Sequence, residues 1–418
     1  NNEVNATYQT KITTDLASTT QIGYSVQYEK STYALLQGRG LAPFVETVNG
    51  ASTLLQGVDD RGEISTSGYY IQQNFNYKSI VNLTGALRVD GSSVFGEDQR
   101  NQKYFKASGS YVISEHEFWK NMNMSKVWNF AKIRVAYGQS GNLTGIGAYS
   151  RFNSYSSNSF VSRTSLISSG TLANTNVKPE RQQELEFGID LGFFKDRLTL
   201  QTNIYSKKVT DLLINRFIAP TNGFSSLLDN FGSLENRGFE IVLTGKPIKN
   251  KNFDWTVTGI YNHNRNKAVR IGQALTLLST NAGAPIAIIE GQPIGVFYGA
   301  FFALDANGGL VKNGSGFPQG ERGIQNSALV FTPQRDPVTG LPITTSPLVR
   351  KIIGDPNPDY TASLVNEITY KKLSLRVQLD AVQGLEVFNA DWRTRQGVGN
   401  GKEAEKEQTG VYPRGYIN

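Results

Sequence analysis

Few residues in this chain are able to do covalent or metal chemistry. The 418 residues include no Cys and only two His, His116 and His263, which excludes thiolate sites, disulfide scaffolds and histidine metal clusters. Glu184 and Glu186 are paired carboxylates of the kind that glycosidases use as acid and nucleophile. On a strand they would lie about 6 to 7 Å apart, but no apolar pocket is indicated beside them. The sequence therefore predicts no enzymatic activity and no cofactor.

Charge and loop motifs also exclude several binding functions. The net charge is +7, but the Lys and Arg residues are dispersed, so no nucleic-acid partner is predicted. The motif D-A-N-G-G at 305–309 lacks the oxygen ligand at its fifth position and the later Glu of a calcium loop, and predicts a turn. The chain shows no signal peptide and no run of eighteen apolar residues. The most apolar stretch, 284–304, is interrupted by proline, Glu290 and Gln292.

A period of two residues positions the side chains along the whole chain and predicts an all-β protein. The clearest example is Q-E-L-E-F-G-I-D-L-G-F at 183–193. Leu185 and Phe187 share one face of this strand with the other apolar residues, whereas Glu184 and Glu186 share the opposite face with Asp190. One face of the strand is therefore apolar and the other carries carboxylates.

Similar segments occur in pairs that are joined by short turns, which predicts hairpins. The pairs are 4–13 with 19–29, 66–77 with 80–90, 183–193 with 198–205, 239–247 with 254–263, and 360–370 with 373–383. Long connections rich in Gly, Asn, Ser and Thr separate them, at 30–64, 91–102, 141–181, 211–235 and 265–358. A short amphipathic helix is expected within 115–130, before the strand at 131–139. We expect about twelve strands in an up-and-down meander within one domain, 1–418.

Strand length and the charged face favour a transmembrane barrel over a soluble sandwich. The segments run for about ten to twelve residues, enough for a tilted strand to cross a bilayer, whereas sandwich strands are usually shorter. The polar faces carry charges that suit a water-filled lumen. These candidate lumen or substrate residues are Arg88, Asp90, Arg134, Glu184, Glu186, Asp190, Arg376 and Asp380. The fold class predicted is an antiparallel up-and-down transmembrane β-barrel, with a soluble β-rich protein as the alternative.

Several strings in this order along the chain resemble the barrel of SusC/RagA-type TonB-dependent outer-membrane transporters. They are R-V-D-G-S-S-V-F-G (88–96), K-I-R-V-A-Y-G-Q-S-G-N (132–142), N-V-K-P-E-R-Q-Q-E-L-E-F-G-I-D-L-G-F (176–193), R-L-T-L-Q-T-N-I-Y-S-K-K-V-T-D-L-L (197–213), N-R-G-F-E (236–240), E-G-Q-P-I-G-V-F-Y-G (290–299), G-D-P-N-P-D-Y (354–360) and V-F-N-A-D-W-R-T-R (387–395). The resemblance implies part of a barrel of roughly 22 strands. It also implies short periplasmic turns, long extracellular loops and a position in the outer membrane of a Gram-negative bacterium. The N-terminal plug, the TonB motif and the final strands after 415–418 are expected to lie outside this sequence.

The resemblance further implies an importer of glycan fragments or peptides, driven by TonB through the plug and assisted by a SusD-like surface lipoprotein. An apolar segment at 290–304 is the candidate contact for that lipoprotein, because exposed apolar patches usually mark a partner. Its rings are Phe297, Tyr298, Phe301 and Phe302. Packing of this loop against itself is the alternative. A carbohydrate-binding adhesin that is soluble or surface-anchored, and a passive outer-membrane pore, are the alternative functions.

Overall fold

The alternation of apolar and polar residues produces strands throughout the chain. The computed structural model describes residues 1–143, 145–161, 163–272, 275–279, 286–402 and 405–406. The strands are β1 Asn2–Lys11, β2 Leu16–Leu41, β3 Ala51–Tyr77, β4 Val81–Ser92, β5 Asn101–Val112, β6 Trp128–Asn142, β7 Tyr155–Phe160, β8 Arg163–Ser168, β9 Thr171–Leu172, β10 Glu180–Phe193, β11 Leu198–Thr210, β12 Leu213–Phe217, β13 Ser226–Asn230, β14 Ser233–Lys249, β15 Phe253–Arg270, β16 Leu275–Ser279, β17 Ile286–Ile289, β18 Val296–Ala300, β19 Gly323–Gln325, β20 Phe331–Pro333, β21 Arg350–Gly354, β22 Tyr360–Tyr370 and β23 Leu373–Gln383. The all-β prediction is confirmed.

Twelve of these strands form one sheet whose order follows the chain. The order is β1-β2-β3-β4-β5-β6-β10-β11-β14-β15-β22-β23. The strands that it omits form small sheets within the long connections, ordered β7-β8, β12-β13-β9, β16-β17-β18-β21 and β19-β20. The pairs β1–β2, β3–β4, β14–β15 and β22–β23 are antiparallel hairpins, as predicted. The up-and-down meander expected from the alternation of short and long connections is therefore present.

The chain folds into two compact units. The first comprises 1–125, 130–189 and 207–232, and the second comprises 126–129, 190–206 and 233–418. In the first unit the connections enclose a buried cluster of Val94, Phe95, Val177 and Leu228. In the second unit the small sheet β16-β17-β18-β21 supplies most of a cluster of Ala287, Ile289, Val296, Tyr298 and Ala328. Each unit thus has apolar packing of its own within its long connections.

Cross-strand register sorts the side chains of the first unit onto two faces. Phe75, Leu83, Gly109 and Val135 lie opposite one another on β3 to β6. The adjacent row, on the other face, consists of Asn74, Thr84, Ser108 and Ala136. Because side chains alternate along each strand, the rows continue as one apolar face and one polar face.

The apolar face of β10 is uncovered. Leu185 is 53% exposed and Phe187 is 43% exposed, while Glu184 and Glu186 on the opposite face are partly buried. A second packed sheet would have buried the apolar stripe, as it does in a β-sandwich. This exposure contradicts a soluble sandwich and leaves an apolar surface that suits lipid.

The prediction that 30–64 forms a loop is wrong. β2 and β3 continue through it as a long antiparallel ribbon, paired from Lys30 with Glu63 as far as Leu41 with Ala51. Cross-strand contacts support the ribbon, because the Nζ atom of Lys30 lies 3.1 Å from Glu63 Oε1. The polar composition that indicates a loop is equally compatible with a ribbon that water surrounds, since neither face then requires apolar side chains.

The helix predicted within 115–130 is present but shorter than expected. The α-helix α1 covers Glu117–Lys120, between single 3-10 turns at Ile113–Glu115 and Asn123–Lys126, and β6 begins at Trp128. A second helix, α2, covers Ala390–Gly397, and further 3-10 turns lie at Val48–Gly50, Glu97–Gln99 and Pro220–Asn222. No helix among the described residues is long and apolar enough to span a membrane.

Turns in which an Asp side chain accepts backbone hydrogen bonds order the polar connection between β18 and β21. Asp305 accepts hydrogen bonds from the backbone N–H groups of Asn307 and Gly309, both at 2.8 Å, so D-A-N-G-G forms the predicted turn. Asp336 repeats this arrangement with Val338 and Thr339. The carboxylate of Glu321, a residue that is only 4% exposed, accepts a hydrogen bond from Arg335, so this buried charge is paired. These local hydrogen bonds order a long, Gly-rich segment.

Substitution of Gly238 in the N-R-G-F-E motif is expected to destabilise the second unit. A Cβ atom at this position would overlap the backbone carbonyl oxygen of His263 and the hydroxyl group of Tyr205. Overpacking of this kind typically costs about 1–3 kcal/mol. We expect Gly238→Ala to lower the temperature at which the full-length protein loses its folded mobility on a detergent gel. Gly259→Ala, whose Cβ meets no atom closer than 4.0 Å, should leave that temperature unchanged, and equal shifts would contradict the prediction.

Acid is expected to loosen the turn at Asp336. Hydrogen bonds from the backbone N–H and the hydroxyl group of Thr339, and from the N–H of Val338, hold the pKa of the Asp336 carboxyl below its ordinary value of 3.8. Because the folded pKa is lowered, the stabilisation is present above the unfolded pKa and is lost as the pH falls through the folded value. The protection of the amides in 336–341, taken as their exchange rate relative to that of an unfolded peptide at the same pH, should therefore fall at acid pH, as read by mass spectrometry. Asp336→Asn should flatten this pH dependence; an unchanged profile would refute it.

Candidate functional site

The polar face of the first unit carries paired charges. The Nε atom of Arg88 donates to Asp90 Oδ1 at 2.6 Å, and its Nη2 atom donates to Ser25 Oγ at 3.3 Å. Arg134 Nη1 lies 3.6 Å from Glu186 Oε1 on the neighbouring strand β10. The first pair follows from strand geometry, since Arg88 and Asp90 are two residues apart on one strand and therefore share a face. The structure thus brings four of the predicted wall residues into two ion pairs.

Shallow polar grooves run between these charges. One groove of about 270 Å³ is lined by residues that include Ser110, Lys132, Arg134 and Glu186. Another, of about 310 Å³, is lined by residues that include Lys106, Gln182 and Glu184. Hydroxyl, amide, ammonium and carboxylate groups are among those that line them, so the wall can hydrogen-bond water or a polar molecule at many points. Glu184 and Glu186 belong to this wall. The grooves beside them are open and polar, so they do not supply the enclosed apolar pocket that a glycosidase acid would need.

The polar face of the second unit repeats the pattern. Arg376 Nε lies 3.6 Å from Glu367 Oε1, its cross-strand partner on β22. Asp380 accepts a hydrogen bond from Ser363 Oγ at 2.6 Å and from Gln378 Nε2 at 3.0 Å. Asp190 lies on the polar side of β10, within the part of that strand that belongs to this unit. The lumenal position and the function of these three residues stay predictions.

The four aromatic residues predicted to contact a partner differ in exposure. Phe297 and Tyr298 are 9% and 3% exposed, because β18 is a central strand of its small sheet. Phe301 packs against Phe331 with ring centroids 5.4 Å apart. Phe302 is 54% exposed. Packing against other parts of the chain, such as Phe331 and Phe388, therefore accounts for three of the rings. Phe302 is the exposed ring of the four, and a partner for it remains a prediction.

Metal binding gains no support from the described residues, among which no group of three His, Asp or Glu side chains is arranged to hold an ion. His116 instead hydrogen bonds Tyr111 at 2.6 Å, and His263 Nδ1 lies 2.6 Å from the carbonyl oxygen of Asp359. Both histidines thus have local structural partners.

A pocket that sequence reasoning missed lies within the long connections of the first unit. It has a volume of about 600 Å³ and is lined by residues of the segment 145–154 and of β9, β12 and β13. We call it the loop pocket. The Gly- and Ser-rich connection 141–181 contains four aromatic rings, of which Tyr149 and Phe152 line the pocket and were available as a signal. Their meeting with β12 and β13 depends on contacts between segments 60 or more residues apart in the chain.

Comparison with known proteins connects this fold to a family. Residues 1–412 match the family model described as TonB dependent receptor-like, beta-barrel. The TonB-dependent receptor P3 of Formosa agariphila is 27% identical over 415 residues, which are 92% of this chain and 40% of that receptor. The TonB-dependent receptor SusC of Bacteroides thetaiotaomicron is 28% identical over 210 residues, covering 49% of this chain and 21% of SusC.

A solved structure of the RagAB peptide transporter shares the fold. Its TM-score is 0.74 at 21% identity, and the match covers 94% of this chain and 42% of that one. This chain thus spans about two fifths of the length of the receptor P3 and of the RagAB chain. Members of the TonB-dependent receptor family are not enzymes and their barrels lie in the outer membrane, which suits the exposed apolar face described above. Because the family model matches nearly the whole chain, the chain belongs to the TonB-dependent receptor family and forms part of its β-barrel.

Proposed function

We propose that the complete protein imports oligomeric nutrients, either glycan fragments or peptides, across the outer membrane. Import is driven by TonB acting on an N-terminal plug, and a SusD-like surface lipoprotein assists capture. The observation that carries the proposal is the two-faced wall, in which apolar side chains such as Leu185 and Phe187 are exposed while the opposite face holds paired charges. A wall of this kind separates lipid from a wet passage.

The charged residues of the polar face line this passage. Their pairing in the structure suits a wall that stays hydrated without presenting isolated charges, because each charge is offset by a neighbour. Such a surface hydrogen-bonds polar cargo weakly at many points, and it also suits contact with the plug. A passive pore would have a similar wall. Dependence of uptake on TonB is therefore the property that distinguishes an active importer from a passive pore.

Uptake by the full-length protein in its native host tests the proposal. Fluorescently labelled oligosaccharides and peptides should accumulate in the periplasm of cells that carry the receptor and TonB, and accumulation should be lost when either gene is deleted. Accumulation that survives loss of TonB would instead establish a passive pore. If the purified protein stays monodisperse without detergent, the adhesin alternative replaces the importer.

Charge reversal on the wall is expected to slow uptake modestly. Arg134→Glu places two carboxylates opposite each other where Arg134 and Glu186 now pair at 3.6 Å. A partly exposed pair contributes up to about 1 kcal/mol, or about fivefold in rate if that energy is lost on the transport path. Arg61→Glu is the matched control, since it breaks an exposed pair with Asp59 at 2.7 Å on the ribbon. Equal uptake by both variants would contradict a lumenal position for Arg134.

A further inference from the structure

A groove interrupts the exposed apolar face of the first unit. It has a volume of about 530 Å³, and its floor lies on the neighbouring strands β4 and β5. Gly85 pairs with Ala107 there, and Leu83 pairs with Gly109. A Cβ atom at Gly85 would meet no other atom within 4 Å, so the space above the floor is open. We call this feature the outer groove.

Larger side chains on the flanking strands form the walls of the outer groove. Phe75 lies on β3, while Val135 and Tyr137 lie on β6 opposite Gly109 and Ala107. Because alternate residues share a face, all of them belong to the apolar face of the sheet. Phe75 and Val135 are exposed, as expected for a face that no second layer covers.

Hydrocarbon is the filling that suits this groove. Gln73, the amide of its lining, is already engaged, because it donates to Ser18 Oγ at 2.7 Å and accepts from Thr20 Oγ1 at 2.6 Å. The hydroxyl group of Tyr137 accepts a hydrogen bond from Gln139 at 2.7 Å. Buried water needs several polar partners, and an empty groove would leave its lining without dispersion contacts. An acyl chain supplies those contacts on a face that lies in a membrane.

The outer groove lies close to the edge of the sheet that carries the short turns. On the apolar face, the row of Phe75 and Leu83 is followed by the last row of these strands, which consists of Tyr77, Val81, Tyr111 and Ile133. Successive rows on one face are about 7 Å apart, so the groove begins within one row of the edge. A phospholipid whose headgroup lies at this edge is therefore able to place an acyl chain in the groove.

An aromatic cluster extends the apolar face beyond this edge. Tyr111 is on the apolar face near the end of β5, and its hydroxyl group lies 2.6 Å from His116 Nε2. The ring of His116 stacks on Phe118 with centroids 5.8 Å apart, and Trp119 meets Phe118 edge-on at 6.5 Å. Phe118 is nevertheless 58% exposed. Such rings favour the boundary between hydrocarbon and headgroups. We call Tyr111, His116, Phe118 and Trp119 the aromatic collar.

Charges of both signs lie along the same edge. Lys120 Nζ lies 3.0 Å from Glu115 Oε2 within the segment of the collar, and Lys78 Nζ lies 3.1 Å from Asp15 Oδ2 between the two neighbouring turns. All four side chains are about half exposed. A headgroup with one phosphate and one ammonium group is able to pair with both members of such a pair. An anionic headgroup lacks the ammonium group and meets these carboxylates, and the exposed Glu117, without a match.

We infer that the outer groove and the aromatic collar together bind one zwitterionic phospholipid of the inner leaflet, with an acyl chain in the groove and the headgroup beside the collar. This lipid site goes beyond import. It rests on the proposed function only for its orientation, which puts the short turns at the periplasmic side and this edge at the inner leaflet. The site also gives a role to the connection between β5 and β6, which is longer than the turns β1–β2 and β3–β4 at the same edge.

Native mass spectrometry of the full-length protein tests the inference. The protein is extracted in mild detergent, stripped of lipid and titrated with phosphatidylethanolamine, which is zwitterionic, or with phosphatidylglycerol, which is anionic. One phosphatidylethanolamine should bind more tightly than phosphatidylglycerol. Gly85→Leu should weaken this binding about tenfold, because its side chain occupies the open groove, and Gly85→Ala should weaken it about threefold. Gly259→Leu is the matched control, since it adds the same side chain to an exposed apolar row, between Leu243 and Leu364 and outside the groove, and it should leave binding unchanged.

Two further variants test the collar. Phe118→Ala should weaken phosphatidylethanolamine binding about threefold, because it removes the exposed ring. Glu115→Lys places a second cation beside Lys120 and should shift the preference toward phosphatidylglycerol. The heat-induced mobility shift on detergent gels identifies the variants that fold, and Gly85→Ala carries the comparison if Gly85→Leu does not fold.

The inference is overturned if the folded Gly85 variant binds phosphatidylethanolamine as Gly259→Leu does, or if the unmodified protein binds both lipids alike. Binding that Phe118→Ala leaves intact would assign the collar to a periplasmic protein and overturn the combined site. Lipid binding is measured without TonB. Uptake that depends on TonB together with absent lipid binding would therefore remove this inference and leave the importer intact. Lipid binding through Gly85 with uptake independent of TonB would do the reverse.

Discussion

Truncation of Phe95 to alanine is expected to unfold the long connections of the first unit. Phe95 is fully buried among Val94, Val177 and Leu228. Truncating a buried Phe costs about 3–5 kcal/mol, because apolar contacts are lost and a cavity remains. The backbone bond from Gly96 to the carbonyl oxygen of Val177 lies beside this cluster and should open with it. Amide exchange, followed by mass spectrometry, should therefore accelerate at 93–96, 175–178 and 226–230.

The loss should remain local, since opening of a loop cluster need not break the strand ladders of the sheet. Exchange in the strand segment 82–88 should therefore change little. Phe217→Ala makes the same truncation at a side chain that is 73% exposed, and it should leave exchange in all these segments as it was. Protection of 226–230 that survives Phe95→Ala would mean that the cluster does not hold the connections together. The same variant should also weaken the loop pocket, because Leu228 belongs to both.

Introduction of arginine at Phe187 is expected to impair the membrane-embedded wall. Phe187 lies at the middle of β10 on the exposed apolar face. A charged residue on the lipid side of a barrel strand costs about 2–4 kcal/mol near the bilayer midplane. We expect Phe187→Arg to reduce the amount of folded protein in the outer membrane. It should also lower the temperature of the heat-induced mobility shift on detergent gels.

Gln182→Arg is the matched control for this variant. It adds the same charge to the same strand, but on the polar face, where Gln182 lines a groove with Glu184 and Glu186. Water and neighbouring carboxylates solvate the new charge there, so folding and yield should stay close to those of the unmodified protein. If Phe187→Arg is tolerated as well as Gln182→Arg, then the exposed face of β10 does not meet lipid.

Most of the wall was predictable because its information is local. In Q-E-L-E-F-G-I-D-L-G-F the face of each side chain follows from its position alone, so the exposure of Leu185 and the partial burial of Glu186 needed no knowledge of distant residues. Strand pairing within hairpins is predictable for the same reason, since a short turn places each strand beside its partner. The pairing of Arg376 with Glu367 across the β22–β23 hairpin follows from the same rule once the register is known.

The connections behaved differently because their folding depends on contacts that are distant in the chain. The segment 30–64 has a loop-like composition, yet pairing of Lys30 with Glu63 and of the residues beyond them extends two strands through it. Phe297 and Tyr298 indicate an exposed patch when read alone, but β18 pairs with β21, more than fifty residues later, and Phe297 packs against Phe388. The loop pocket requires 145–154 to meet β9, β12 and β13. The alternation of apolar and polar residues does not predict these contacts. They depend on which apolar side chains from distant segments pack together when the chain folds.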